Sequence, residues 1–342
     1  MPHRAFFAFI LPSLASMIVF IAMPLISIAW QSLYVEHPKV LTTVETCDPF
    51  GCELEPHVDI AAMTKLNAAE PAGLFNGLAT FADTSHLAFS ELRHIWQSSP
   101  NIAAAFAAIV NLRFYNALLF TLAFTFIVTP GALVLGLAIA LAVDVLPKAL
   151  RGTITYITLL PMIVPSLIGA LVLFWMMGTR GIIGTALQAL FDDPDLSVLG
   201  SVTLTRIALF IYGIWSSAPY VFLIFYAGLQ TVPKETLESA MVDGASAWAR
   251  FRHVVWPHLR PLAVFLLIVN LMDNFRVFET IIGFNAVASA SSLSVLIFQD
   301  LHNGDSPLFG SAAATSMLTI FGIALLLTPS MLRSWSLFRQ KA

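Results

Sequence analysis

The stretch Lys234–Pro261, KETLESAMVDGASAWARFRHVVWPHLRP, is the longest polar segment between two strongly apolar blocks in the second half of this 342-residue chain. Pro233, just ahead of it, suits the first turn of a helix, where a missing N–H costs nothing. Glu235 and Glu238 then lie near that helix's positive end. Gly244 can take the left-handed conformation that stops a helix and turns the chain. Trp248, Phe251 and Val255 recur at i, i+3 and i+7, so a second short helix has one apolar stripe. Arg250 and His253 fall off that stripe and face water or a partner, and Pro257 is expected to end the helix. The expected product is a helix–turn–helix elbow between two membrane spans.

The blocks on either side make it a membrane protein. Hydrophobic residues are 58% of the chain and charged ones 11%, against about 25% charged in a soluble domain. A membrane-spanning helix needs about 20 apolar residues. Six blocks reach that length: 5–33, 114–143, 152–178, 207–230, 261–284 and 308–332. Pro12 and Pro24 predict kinks in the first block. A cleaved signal peptide is the rival reading for it, with Ser27-Ile28-Ala29 as a loose cleavage site. Basic residues gather in the short loops that six spans place on one side: Arg4, Lys148, Arg151, Lys234, Arg250, Arg252, Arg260, Arg333, Arg339 and Lys341. The positive-inside rule puts that side, both termini and the elbow in the cytoplasm. The predicted fold is therefore all-α and polytopic, with six transmembrane helices and a cytoplasmic elbow between helices 4 and 5. Its organisation is a first span (1–34), an outer loop (35–113) and a five-span core (114–342) containing the elbow segment 232–261.

The outer loop has an acidic excess and is predicted to be periplasmic. It holds both cysteines, Cys47 and Cys52, around Asp48-Pro49-Phe50-Gly51. A tight Pro–Gly turn in an oxidising compartment favours a disulfide; a redox or metal site is the sharper alternative. Surface helices are expected within 61–81 and 102–112.

The fifth span is not uniformly apolar: Asn270, Asp273, Asn274, Arg276 and Glu279 interrupt it. On one straight helix from Pro261, Asp273 would lie about 18 Å in and Glu279 about 27 Å in. Asp273, Arg276 and Glu279 at i, i+3 and i+6 would allow successive ion pairs. Buried in a membrane such charges must pair or be wetted, so they are expected to face the bundle interior. Phe275 and Phe278 interleave with them, the pairing of ring faces and hydrogen-bonding groups that suits a sugar. This face either lines a substrate path or locks the span to its neighbours. Trp175, Met176, Met177, Trp215, Ser216, Ser217 and Tyr220 are further lining candidates, each also readable as packing.

Glu238-Ser239-Ala240, Asp243-Gly244-Ala245, Phe251, Val254 and Pro257 resemble the EAA loop of the transmembrane subunits of binding-protein-dependent ABC importers. Ser239 stands where that family usually has Ala, and Trp256 where it usually has Leu. Phe114-Tyr115-Asn116-Ala117, the run Leu135–Ala140, Ala227-Gly228-Leu229-Gln230 and Val232-Pro233 extend the resemblance from residue 114 onwards. It is similar above all to the larger permease subunits of carbohydrate importers of the maltose and glycerol-phosphate kind. The resemblance implies that Glu238, Ser239, Ala240, Asp243, Gly244, Ala245, Phe251 and Pro257 couple the chain to a separate ATPase. It implies a second homologous permease subunit, an ATPase dimer and a periplasmic solute-binding protein as partners. ATP and Mg would be bound by the ATPase, and this chain would need no cofactor.

No phosphate-binding glycine loop, H-E-x-x-H or Cys/His zinc spacing occurs, and nothing points to nucleic acid. His253 and His258, five apart in the elbow, suit a membrane surface rather than a metal. Two rival classes remain. A gradient-driven carrier or channel would work without an ATPase, but neither internal repeats nor short broken helices are legible. A membrane enzyme would need a catalytic pair, for which the charges of the fifth span are the candidates. The elbow itself has a plain reading as a capped helix pair that joins two spans.

Overall fold

Prolines decide where the apolar segments stay straight and where they bend. The computed structural model describes the backbone of residues 3–48, 51–303 and 307–339, with side chains over 9–43, 57–303, 307–329 and at Leu332. The first part of the chain holds α1 (His3–Met17), a π-helical turn (Ile18–Ala22), α2 (Met23–Gln31), β1 (Tyr34–Val35), β2 (Leu41–Asp48) and β3 (Gly51–Val58). There follow α3 (Ile60–Ala69), β4 (Leu74–Phe75), α4 (Ala79–Ala82), α5 (Phe89–Ser98) and α6 (Ile102–Asn111). The apolar core holds α7 (Arg113–Asp144), α8 (Lys148–Ile163), α9 (Ser166–Met177), α10 (Ile182–Phe191) and α11 (Val202–Gln230). The rest is α12 (Lys234–Val242), α13 (Ala247–Arg250), a π turn (Phe251–Val255), α14 (Trp256–Phe275), α15 (Glu279–Gly283), α16 (Leu293–Leu301) and α17 (Phe309–Arg339).

Among the described residues five helical stretches are long and apolar enough to cross a membrane: Phe9–Gln31, Arg113–Asp144, Val202–Gln230, Ala247–Phe275 and Phe309–Pro329. The α8–α9 pair makes a sixth if its halves are one span, which agrees with the expected count. The fold is helical as predicted, apart from two small antiparallel pairs in the outer segment, β1 with β4 and β2 with β3. The β2–β3 register sets Cys47 opposite Cys52. The thiols themselves lie outside the described side chains.

Three expectations about spans are corrected. The third is not one straight helix: α8 and α9 meet at 92°. Pro165 has no N–H, and its ring pushes Val164 out of the helical region; Val164 is extended at φ -81, ψ 122. Broken helices are therefore present, although none was legible in the sequence. Second, Pro257 does not end the elbow's second helix. The π turn Phe251–Val255 just before it absorbs the missing N–H, and the chain runs on as one helix to Phe275. The same device, Ile18–Ala22, lies before Pro24 in the first span. Third, the fifth helix stops at Phe275 and restarts at Glu279, with Arg276 at φ -96, ψ 23 between them. The Ser292 hydroxyl takes up the freed Val277 carbonyl at 2.6 Å.

The chain divides into two compact units. One comprises residues 1–115 with 296–320. In it Asp300 is buried. Its carboxylate accepts from Arg113 Nη2 at 2.8 Å and from Ser311 Oγ at 2.7 Å. The Ser311 carbonyl lies 3.1 Å from His86 Nε2. Glu36 accepts from the Gly310 amide at 2.7 Å, beside a cleft of about 1190 Å³ bordered by α3 and residues 307–310.

The other unit comprises residues 116–295 with 321–342. It has two hydrophobic clusters. One joins Phe120, Phe124 and Val128 of α7 to Leu209 and Tyr212 of α11, Ala170 of α9 and Ile281 of α15. The second joins Ala132 and Ala140 of α7 to Phe222 and Phe225 of α11, with Leu259 and Leu266 of α14. Close helix approach needs glycine at two contacts. A Cβ on Gly283 would overlap the Leu167 carbonyl oxygen, and one on Gly136 would meet Val221 and the Phe222 amide.

Candidate functional site: the elbow and the polar face of the fifth span

The elbow is built by its caps. Pro233 precedes α12, and Glu235 sits in the first turn. At the other end the Gly244 amide donates to Met241 O at 3.0 Å and the Ala245 amide to Ala240 O at 3.0 Å. Those two bonds, with Gly244 at φ +76, form a Schellman stop with the glycine at its left-handed position. Ser246 then caps α13 by accepting from the Ala249 amide at 3.2 Å. Nothing lies within 4 Å of where a Gly244 Cβ would stand, so that glycine serves the turn and not packing.

The sequence did not reveal what anchors the elbow to the bundle. Gln230 Nε2 at the end of α11 donates to Asp144 Oδ1 at 3.0 Å. Thr231 Oγ1 lies 2.9 Å from His258 Nε2. Arg151 clasps the α7–α8 turn through the carbonyls of Asp144 and Leu146. Each pair joins residues 27 or more apart or closes a turn, and only the fold brings them together.

The elbow's outer face is open. Glu238, Ser239, Asp243 and Gly244 are exposed, and Ala240 and Ala245 half-buried. Val242 is 88% exposed and Trp248 67%, apolar surface of the kind that marks an interaction site. Trp248 and Phe251 stack at 5.5 Å, and Phe251 stands 6.3 Å from Trp256. Arg250, expected to face water, is half-buried, while His253 is exposed. Neither the Glu238 nor the Asp243 carboxylate has a partner among the described residues. Pro257 is exposed inside the continuous helix.

The polar residues of the fifth span separate into two sets. Asn270 and Asn274 are buried. Asn274 Nδ2 donates to Thr129 Oγ1 at 3.0 Å, and Asn270 Nδ2 to the Leu266 carbonyl at 2.9 Å. Asp273 and Arg276 pair at 2.9 Å with side chains 59% and 56% exposed. Glu279 is exposed and opens α15, where the helix dipole favours an acid. The expected series Asp273–Arg276–Glu279 on one helix is thus broken after its first pair, because α14 has ended. The charges face out of this chain, contrary to the expectation that they face its interior. Phe278 is half-buried against the first cluster. Trp175 is 70% exposed and Trp215 48%.

This arrangement is a multi-pass membrane bundle with an exposed handle on one span. Residues 132–335 match the family described as binding-protein-dependent transport system inner membrane component, and the chain belongs to that family. It is a multi-pass protein of the inner membrane whose system works with a binding protein. The trehalose/maltose transport system permease protein MalF of Thermococcus litoralis is 31% identical over 210 residues, 60% of this chain and 70% of that protein. The sn-glycerol-3-phosphate transport system permease protein UgpA of Agrobacterium fabrum is 31% identical over 226 residues, 63% of this chain and 74% of that one. The crystal structure of a bacterial ABC transporter that imports the acidic polysaccharide alginate shares the fold. Its TM-score is 0.60 at 20% identity, over 81% of this chain and 97% of that one.

Proposed function

We propose that this chain is the permease subunit of an ATP-driven importer of a carbohydrate or polyol. It works with a second homologous permease, an ATPase dimer that holds ATP and Mg, and a periplasmic solute-binding protein. The specificities of the relatives, trehalose/maltose and glycerol phosphate, support the substrate class. Both termini and the elbow face the cytoplasm, as the basic loops require.

The observation that carries the coupling role is the union of handle and span. α13, the π turn and α14 are one helix, Ala247–Phe275, so force applied at its first turn, where Trp248 is exposed, enters the membrane without a break in the helix. Its far end delivers the Asp273–Arg276 pair. Charges exposed on the chain within a membrane cost several kcal/mol against lipid, so they face a wet path or the second permease. Asp273, Arg276 and Glu279, with Phe278 beside them, line that path, and Asn270 and Asn274 support it from within.

Reconstitution in proteoliposomes with the co-encoded ATPase tests this. ATP-dependent sugar uptake is expected, and Glu238→Lys should abolish uptake while the protein still inserts. Undiminished uptake without the ATPase would instead favour a self-sufficient carrier, a reading to which the broken α8–α9 pair lends support.

A further inference from the structure

The two hydrophobic clusters of the 116–295 unit divide every helix they share at a backbone discontinuity. On α7 the first cluster ends at Val128 and the second begins at Ala132; Pro130 lies between. On α11 the first ends at Ile214 and the second begins at Tyr220; Pro219 lies between. The α8–α9 segment contributes Leu159 to the second cluster and Ala170 to the first, with the 92° break at Val164–Pro165 between them. The α14–α15 segment contributes Leu266 to the second and Val277 to the first, and its helix is interrupted after Phe275.

Each discontinuity weakens its helix against bending. Pro130 cannot donate to the Phe126 carbonyl, nor Pro219 to that of Trp215, and each missing bond lowers the resistance to a kink. The two breaks have no continuous ladder at all. Four weak points, each between the same two well-packed blocks, concentrate any deformation there, because packed cores move as units and not by continuous strain.

We propose that these four points form a hinge belt, on which an elbow-side block and a far block of this one subunit tilt relative to each other. The elbow-side block contains Val255 and Leu259, so the elbow moves with it. The far block carries α9 and α15 together, in contact at Gly283, and α11 is tied to α9 by the Tyr212 hydroxyl, which donates to Ser166 O at 3.0 Å. The Asp273–Arg276 pair sits at the belt. Tilting therefore changes its surroundings while each cluster stays intact. The belt deepens the transport reading, since the elbow's motion would be what drives it.

Spin labels on the full-length chain in lipid, with Cys47 and Cys52 replaced by serine, test the belt. Leu135→Cys with Ile207→Cys spans it. Leu119→Cys with Ile207→Cys, and Leu135→Cys with Leu223→Cys, each stay within one block. The spanning pair should give a distance distribution at least twice as broad as either control, and Pro130→Ala with Pro219→Ala should narrow it. With the ATPase bound, trapping nucleotide should shift the spanning pair and leave the controls fixed. A spanning pair as narrow as the controls, insensitive to nucleotide, overturns the proposal. If no ATPase binds but the spanning pair is still broad, the belt stands and the importer reading fails.

Discussion

The amide of Asn274 donates to the hydroxyl of Thr129 at 3.0 Å, joining the last turn of α14 to the turn of α7 just before Pro130. Both residues are buried, and Thr125 and Thr121 continue the same face of α7 at four-residue intervals. Hydrogen bonds between membrane helices contribute about 0.6 kcal/mol on average and at most about 1.7. A double-mutant cycle of Thr129→Val and Asn274→Leu, read by thermal unfolding in detergent, should therefore give a coupling of that size. No coupling between the two would mean that the pair is not formed in the membrane.

Gly244 separates two kinds of defect. Its φ of +76 with empty space beside it means that Gly244→Ala costs only backbone strain, about 1 kcal/mol. Gly244→Asp adds bulk and charge on the face that an ATPase would cover. Both variants should insert and be as abundant as wild type on immunoblots, with uptake retained largely in the first and lost in the second. Wild-type uptake in Gly244→Asp would remove the elbow from the coupling role.

The elbow was legible because its signals are local. Pro233, Gly244 and the Trp248–Phe251 spacing act within one or two turns, and the structure reproduces each. The span count was legible because hydropathy is additive along a helix. What the sequence hid depends on how a proline is absorbed. Pro257, Pro24 and Pro165 look alike, yet the first two follow π turns and leave their helices running, and the third ends one. That choice is made by the neighbours: α9 is held against α15 and Tyr212, contacts between residues far apart in sequence. The error about Asp273 and Arg276 has another root: their direction was inferred from the cost of a charge against lipid, which a surface turned to a wet path or a partner satisfies as well as this chain's interior does.

Gly283 tests whether α9 and α15 must touch. A Cβ there would overlap the Leu167 carbonyl oxygen and stand 2.9 Å from the Ala170 methyl. Neither backbone oxygen nor buried methyl can move aside, so Gly283→Val forces the helices apart. Overpacking typically costs about 1–3 kcal/mol. The expected result is a lower unfolding midpoint in detergent, whereas Gly152→Val, in open space, should be neutral. A Gly283→Val midpoint equal to wild type would show that the two helices separate freely.

In the outer segment the cross-strand register Cys47–Cys52 brings the backbones to a separation a disulfide accepts, since opposed strand residues lie about 4.5–5.5 Å apart. Intact cells exposed to a membrane-impermeant maleimide should leave the protein unmodified until a reductant is added. Mass spectrometry should then find both thiols alkylated. Labelling without reductant would establish free thiols and restore the redox or metal alternative.

Asp300 is the buried charge on which its unit depends. It holds Arg113 at 2.8 Å and Ser311 at 2.7 Å, and Ser311 in turn meets His86, whose Nδ1 has no partner. Arg113 is partly exposed, with a side chain 43% accessible, but that of Asp300 is only 3% accessible, so removing the guanidinium strands a carboxylate that water reaches poorly. Ser311 is half-buried, and its hydroxyl also lies 3.4 Å from His86 Nε2, so it keeps a partner when the carboxylate is lost. Arg113→Ala should therefore destabilise by up to about 3 kcal/mol, while Asp300→Ala costs less, because it leaves no buried charge behind. Limited proteolysis of the outer segment reads both directly. Cleavage should rise several-fold in Arg113→Ala and less in Asp300→Ala, and the reverse order would place the dominant interaction in the Ser311 bond and not in the ion pair.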